Sequence, residues 1–463
     1  MKICSLYGAG YYYIPGTDIC LKLGGWVRYQ HTWGTGGTTG TQPFQQTSGA
    51  NSRTATPHHF QRSRAILSID TRQQTAYGTL RTYMTHGMES DTSAPMTIYS
   101  RRAFIQIAGF TFGRATSFFD LFSTASFAYN AGSIYASDTG DAGQTVAAYT
   151  AQFGNGFSAT VSLESPKRTQ TINTSTPGSF ALGSVPTANN LATQFPDLVA
   201  NLRVDQAWGS VLVGGVLADA SGGYYATAAT GAASVANGHP GNALGWGVTG
   251  AFTLNLPMIA PGDRLSAHVT YTEGAARYAS NNVNGGLFNF AGRSVGFGFV
   301  TDSVFTGTEV AGTQTGVNLT TAWSVAAGFE HLWTPALRTS LYGSYASYSY
   351  NAQATAGICA MTAAAIAGAP NASRNPNGQI TWGAGCNPNF SMWSVGSRTQ
   401  WEPVRGLIMG VDVMYQHLNS SRADSTNQVT LTGATGGNPA GAYDVANQHH
   451  WYGTFRVQRD FVP

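Results

Sequence analysis

No stretch of this 463-residue chain approaches the roughly 18 consecutive apolar residues that a membrane-spanning helix requires. Charge is scarce too: Asp, Glu, Lys and Arg make up 10% of the residues, 24 basic against 21 acidic, and no Lys/Arg block of the kind that grips nucleic acid appears. A nucleic-acid partner is excluded on that ground. The four cysteines include no CxxC pair, which argues against a compact metal site, and Met1-Lys2-Ile3 leads to Cys4 without the apolar stretch of a secretory leader. A mature chain, or one begun at a truncated or engineered Met, is expected.

What is present is unusual in combination. Glycine numbers 57 and tyrosine 22, aromatics reach 12%, and the mean hydropathy is near zero at −0.11. Few charges without high hydrophobicity result when one face of each strand meets lipid and the other meets water. From residue 20 onward, segments of alternating polarity are joined by connections that themselves alternate, a short one and then a long Gly/Thr/Ala-rich one. A closed barrel in lipid has this rhythm. Every backbone N–H and C=O at membrane depth must be paired between strands, with tight turns at one end and long loops at the other.

Period-2 alternation places the first strand at Leu21 to His31, with Lys22, Gly24, Arg28 and Gln30 opposite Leu21, Leu23, Val27 and Tyr29. The second, Phe60 to Thr71, sets Arg62, Arg64, Ser68 and Asp70 against Ala65, Leu67 and Ile69; a three-residue turn near Arg72 then leads to a third at about Thr75 to His86. Further strands fall at about 101–108, 110–116, 144–153, 157–165, 198–208, 211–219, 244–255, 264–274, 322–333, 337–350, 391–402, 406–418 and 449–461. The expected fold is therefore all-β, a 16-stranded antiparallel transmembrane β-barrel with seven short turns, eight long loops and both ends on the turn side. Gly292 to Val300 also alternates, but as a wall strand it would break the parity, so a loop is expected there. Trp26, Tyr29, Trp208, Trp333 and Trp401 are expected to face outward as interfacial girdles.

Cys4 with Cys20 and Cys359 with Cys386 form two local pairs that suit disulfides made in an oxidising compartment, metal binding being the alternative. Residues 1–20 are expected to be a disulfide-closed segment on the periplasmic side, followed by the barrel over 21–461.

Three stretches carry a resemblance. The opening from Cys4-Ser5-Leu6-Tyr7-Gly8 to Cys20-Leu21-Lys22-Leu23-Gly24-Gly25-Trp26-Val27-Arg28 resembles the start of the alphaproteobacterial porins, the family of the rhizobial and Brucella major outer-membrane porins. Arg102-Ala103-Phe104-Ile105-Gln106-Ile107-Ala108-Gly109-Phe110-Thr111-Phe112-Gly113-Arg114, followed by Ser117-Phe118-Phe119-Asp120, resembles that family's run into its pore-constricting loop. Phe455-Arg456-Val457-Gln458-Arg459-Asp460-Phe461 resembles its last strand. The resemblance implies a homotrimeric channel in the bacterial outer membrane, in contact with lipid and lipopolysaccharide, that passes small hydrophilic solutes and ions without a cofactor.

Sixteen strands leave an aqueous lumen that must be narrowed if passage is to be size-limited. The third long connection, residues 117–143, is the expected inward-folded constriction loop. Its acids are Asp120, Asp138 and Asp141, with no Lys or Arg between Ala115 and Gly143, while the first four strands offer Arg28, Arg62, Arg64, Arg81 and Arg102. Carboxylates facing guanidiniums across a gap would favour polar solutes over apolar ones of equal size. The plainer alternative is that the arginines pair with Asp70 and loop acids to keep a wet wall soluble. Arg203, Asp205, Arg264, Asp412 and Arg456 read as ordinary lumen lining.

His31, His58, His59, His86, His417, His449 and His450 lie at strand tops, where one rim sector with metal-binding or pH-sensitive character is the sharper reading and scattered headgroup-zone histidines the plainer one. A barrel enzyme is the rival from another class, but no nucleophile motif frames Ser63 or Ser68 beside His58 and His59, so no catalytic residue is assigned. A substrate-specific channel, for oligosaccharides for example, and a surface receptor acting through the long loops complete the alternatives.

Overall fold

In the computed structural model the described residues are 4–34, 44, 58–92, 94–176, 188–227, 229–281, 283, 285–361, 380, 382–431, 434 and 437–461. Sixteen antiparallel strands form one wall: β1 Cys20–Gly34, β2 His59–Thr75, β3 Gly78–Asp91, β4 Ala94–Ile107, β5 Phe110–Ala115, β6 Gln144–Gly154, β7 Phe157–Glu164 and β8 Asp197–Gln206. The second half comprises β9 Gly209–Asp219, β10 Leu244–Asn255, β11 Arg264–Glu273, β12 Thr321–Thr334, β13 Leu337–Ser349, β14 Phe390–Val404, β15 Leu407–Asn419 and β16 Gln448–Asp460. Each pairs with the next. The sheet closes where β1 pairs with β16, from Trp26 opposite Asp460 to Gly34 opposite Tyr452.

The alternation that located the strands reappears as an inverted burial pattern. In β7, Val161 and Leu163 are exposed while Ser158, Thr160, Ser162 and Glu164 are buried. Leu341 in β13 and Val213 in β9 likewise face outward. A soluble protein would hide the aliphatic face; a wall standing in lipid presents it. Tight turns hold the short end: Ala108-Gly109 and Asn155-Gly156 both take positive φ at two successive residues, matching the twist of the flanking strands.

Two expectations about connections fail for one reason, that charged residues belong to the wall. The ladder does not turn near Arg72; it runs on until Thr75 faces Gly78, because Arg72 and Arg81 both bind Asp70. Nor is there a long loop between 86 and 101: β3 continues to Asp91 and β4 starts at Ala94, with Asp91 opposite Ala94. Glu89 and Asp91, which read as loop acids, bond Arg64 and Arg62 on β2. The Gly292 to Val300 stretch does form a strand, Ser294–Val300, but outside the wall.

That strand belongs to a cap at the long-loop end. Gly285–Ala291 and Ser294–Val300 form a hairpin that continues through Gly441–Val445 to Gln428–Leu431. Phe288, Phe290, Phe297, Phe299, Ile358, Trp382 and Val445 form its core. Helix α1 Ala276–Ala279 and helix α2 Ala352–Cys359 lie in the same loops, and Asn351 caps α2 by accepting a bond from the Ala354 N–H at 2.8 Å. A disulfide joins Cys359 at the end of α2 to Cys386. A second cluster seats the cap on the barrel, with Leu287 and Val300 packed among Tyr348, Phe390, Met392 and Leu418. At the opposite end the Cys4–Cys20 disulfide folds the N-terminal segment back so that Tyr12–Tyr13 pairs with Cys20–Leu21.

At the seam, the Phe461 N–H donates to the Gly25 carbonyl at 3.0 Å, and Gly25 has φ +156°. A Cβ there would lie 2.1 Å from the Ile66 oxygen and 2.6 Å from the Phe461 ring. Gly25→Val is expected to cost about 2 kcal/mol or more of barrel stability, read as a lower temperature for the folded-to-unfolded mobility change in detergent gels. An unchanged transition would show that this approach does not limit closure.

Candidate functional site

Between β5 and β6 the chain does not form a free loop. Its two ends are first tied together by its own acids. Asp120 accepts bonds from Ser137 Oγ at 2.8 Å and from Thr139 N and Oγ1 at 2.8 and 2.7 Å. Asp138 accepts from Thr124 N and Oγ1 at 2.8 and 2.6 Å, from Ser123 Oγ at 3.1 Å and from the Gly140 N–H at 2.7 Å. Both carboxylates are buried. Burial, reinforced by the neighbouring Asp120, pushes the Asp138 carboxyl above the usual carboxylate range. Asp141 lies in the turn Gly140–Ala142, and its side chain is outside the described residues.

The segment so clasped is bonded along its length to wall side chains pointing away from the exposed aliphatic face. Ser340 Oγ of β13 donates to the Phe127 carbonyl at 2.6 Å. Arg398 of β14 donates to the carbonyls of Ser126 at 2.7 Å and Ala125 at 3.3 Å. Asp412 of β15 accepts from the Tyr129 N–H at 2.6 Å, and Gln416 donates to the Ser133 carbonyl at 2.7 Å. From β16, Arg456 donates to the Tyr129 carbonyl at 2.9 Å and its guanidinium stands 4.0 Å over the Tyr129 ring. Phe127, Ala128, Ile134 and Ala136 pack on Ala326, Tyr342, Met414 and Tyr452. Gly410 makes room for this contact, since a Cβ there would lie 2.2 Å from the Tyr129 hydroxyl.

The arginines proposed from the sequence divide into two groups. Arg62, Arg64 and Arg81 bind wall carboxylates, Asp91 at 2.5 Å, Glu89 at 2.7 Å and Asp70 at 2.9 Å. Arg28 donates to Gln458 at 2.7 Å across the closing seam and stacks 4.0 Å over Trp26. Trp26 therefore sits with the inward residues, not on the lipid face, whereas Tyr29, Trp208, Trp333 and Trp401 are exposed as expected. Arg102 reaches the segment, donating to Thr116 Oγ1 at 3.1 Å and to the Gly140 carbonyl. Among the described residues no ion pair joins Asp120 or Asp138 to any of the five.

Sequence reasoning missed Arg398 and Tyr129 and treated Arg456 and Asp412 as lining. All three wall residues were visible as polar positions in alternating strands; their convergence was not, since it depends on where the segment crosses. Two cavities flank it on the short-turn side. One, of about 430 Å³, is lined by Arg102, Gln106, Thr116, Asn201, Arg203 and Asp205 among others. The other, of about 200 Å³, lies against Ser126 and Tyr129. The histidines lie on neighbouring strands but on both faces of the wall: His450 is buried on the inner side 4.8 Å from the Phe44 ring, while on the outer side His417 stands opposite His449 and His31 meets His59 at 5.9 Å.

Asp138→Ala removes the acceptor of four bonds within the clasp. It is expected to loosen residues 120–139 by about 2–3 kcal/mol, seen as faster amide hydrogen exchange there with the wall strands unaffected. Unchanged protection at Thr124 and Gly140 would mean that the segment is held by the wall alone.

Comparison with known proteins agrees with this architecture. A family model described as the porin subfamily matches residues 1–447. Porin Omp2b of Brucella melitensis is 30% identical over 230 residues, a stretch covering 46% of this chain and 54% of that protein; its Brucella abortus counterpart is 29% identical over the same length. The match thus spans about half the length of these relatives. Among solved structures, the outer-membrane channel DcaP of Acinetobacter baumannii superimposes with a TM-score of 0.57 at 12% identity, covering 97% of this chain and 99% of that one, which bears on the fold alone. A closed sixteen-strand wall with an aliphatic exterior and a match over nearly the whole chain establish that this multi-pass outer-membrane β-barrel belongs to the porin subfamily.

Proposed function

We propose that the protein is a channel, not an enzyme, and that small hydrophilic solutes and ions cross it by passive diffusion through a water-filled lumen narrowed by residues 117–143. The observation that carries this reading is the set of bonds from four consecutive strands, β13 to β16, to the backbone of Ala125, Ser126, Phe127, Tyr129 and Ser133. A segment that leaves β5, docks on β13 to β16 and returns to β6 reduces the free cross-section of a sixteen-strand barrel while leaving the arc β1 to β4, between its root and its anchors, to conduct. Arg28, Arg62, Arg64, Arg81 and Arg102 stand on that side and give the passage its polarity. Asp120 and Asp138 serve chiefly to hold the narrowing segment in shape, because their carboxylates are engaged within it; Asp141 completes the acidic set.

Residues 1–20 are assigned to the periplasmic side, since the Cys4–Cys20 disulfide closes at the short-turn end, where β1 begins opposite Arg72. The family supports a homotrimer, with outer-membrane lipid and lipopolysaccharide against the exterior. A channel with a preferred solute is the second reading, favoured by the crowding of guanidiniums beside Tyr129.

Planar-bilayer recording tests the proposal. The intact protein should give discrete conductance steps, and deleting residues 121–136 should enlarge them and admit larger sugars in liposome swelling. Steps of unchanged size would rule out the segment as the constriction, and silence from correctly folded protein would rule out the channel. Changing Asp120, Asp138 and Asp141 together to Asn should raise open-channel noise more than it alters ion selectivity; the reverse result would restore a direct role for these acids in the field.

A further inference from the structure

The cavity of about 200 Å³ beside Tyr129 is lined by Arg28, Arg264, Arg338, Arg398 and Arg456, with Glu330 as its only carboxylate. These residues come from β1, β11, β13, β14 and β16, and they meet because strands β11 to β16 and β1 follow one another around the closed wall. Five guanidiniums in so small a space repel one another unless countercharge is supplied. Among the described residues the lining supplies one carboxylate. Glu330 is shared by Arg398 at 2.7 Å and Arg264 at 3.3 Å. Asp412 on β15 already accepts from the Tyr129 N–H and the Tyr342 hydroxyl, and Asp460 accepts from Gln458 Nε2 at 2.6 Å. Among the described residues no carboxylate pairs with Arg338 or Arg456.

Arg398 is 4% exposed, and its terminal nitrogens are spent on the Ser126 and Ala125 carbonyls and on Glu330. Gln400 and Gln458 line the same space and can orient further oxygens.

Resting on the channel reading, we propose that this cavity is a binding station for a small dianion carrying a tetrahedral oxyanion, inorganic phosphate or a compact organic phosphate, held by Arg28 and Arg338. Planar guanidinium forks match two oxygens of such a group at once, and a fixed point charge would not. The volume of about 200 Å³ accepts the oxyanion with a short organic appendage. Because the station lies on the short-turn side of residues 117–143, an anion that has passed the constriction is captured before release. Occupancy would also neutralise the cluster against which the segment rests.

Titration calorimetry with inorganic phosphate, on the whole detergent-solubilised protein at constant ionic strength, tests the station independently of conduction. Saturable binding is expected, weakened about tenfold by Arg338→Gln and by Arg28→Gln, the loss of roughly one charge-assisted contact each. Arg203→Gln, in the other cavity, should leave it unchanged. In bilayers, phosphate should lower potassium chloride conductance reversibly, with the half-blocking concentration shifted by the same factors. Detergent-gel mobility confirms that each variant is folded. Absence of saturable binding, or binding undiminished in both Arg338→Gln and Arg28→Gln, overturns the station even if the protein conducts. Binding that follows the expected pattern in a protein that does not conduct upholds the station and overturns the channel instead.

Discussion

The pairing of β1 with β16 is the constraint from which the rest of the molecule follows. In hydrocarbon an unpaired backbone N–H or C=O costs several kcal/mol, so sixteen strands cannot leave an edge, and the ladder from Trp26–Asp460 to Gly34–Tyr452 removes it. Closure then fixes the inside and the outside. Aliphatic residues such as Val161, Val213 and Leu341 face lipid, and the alternate positions, including Ser340, Arg398, Asp412 and Arg456, face an enclosed space. It also brings together residues at opposite ends of the chain: Arg28 reaches Gln458, and Gln30 reaches Arg456, as partners on adjoining strands.

An enclosed polar space of this kind holds a segment by hydrogen bonds where a soluble core would use apolar burial alone. Residues 117–143 use both. Their acids are directed inward on the segment itself, Asp120 and Asp138 bonding hydroxyls and N–H groups across its neck, while its carbonyls take donors from the wall. The segment is thus held in shape by its own acids and held in place by the wall. The cap at the other end follows the ordinary rule, with a phenylalanine-rich core under a small sheet and a disulfide at Cys359–Cys386. The two are linked, because Tyr135 of the segment joins Leu287 and Val300 of the cap loop in one apolar cluster.

Most of the wall was legible before any coordinates. The strands from 144 to 153, 244 to 255 and 337 to 350 agree with β6, β10 and β13 to within a residue, because one lipid face and one wet face impose a strict period of two. The pattern failed where charge sat at the end of a strand. Glu89, Asp91 and Arg72 resemble loop residues in a linear reading, and only their cross-strand partners show them to be wall. Trp26 failed for a related reason: its aromatic character suggested the lipid interface, but its position in the alternation is inward, under Arg28.

The chain by itself determined the fold class, the strand count, the end at which the turns lie and the local pairing of the cysteines, since each depends on local periodicity or spacing. Which charges meet was decided only by the tertiary structure. Arg62 and Arg64 pair within the wall, Asp120 and Asp138 turn back into their own segment, and five arginines from strands far apart in sequence converge beside Tyr129. Electrostatic interaction depends on distance through space, and in a closed barrel that distance is set by strand order around the ring and by where one segment crosses it.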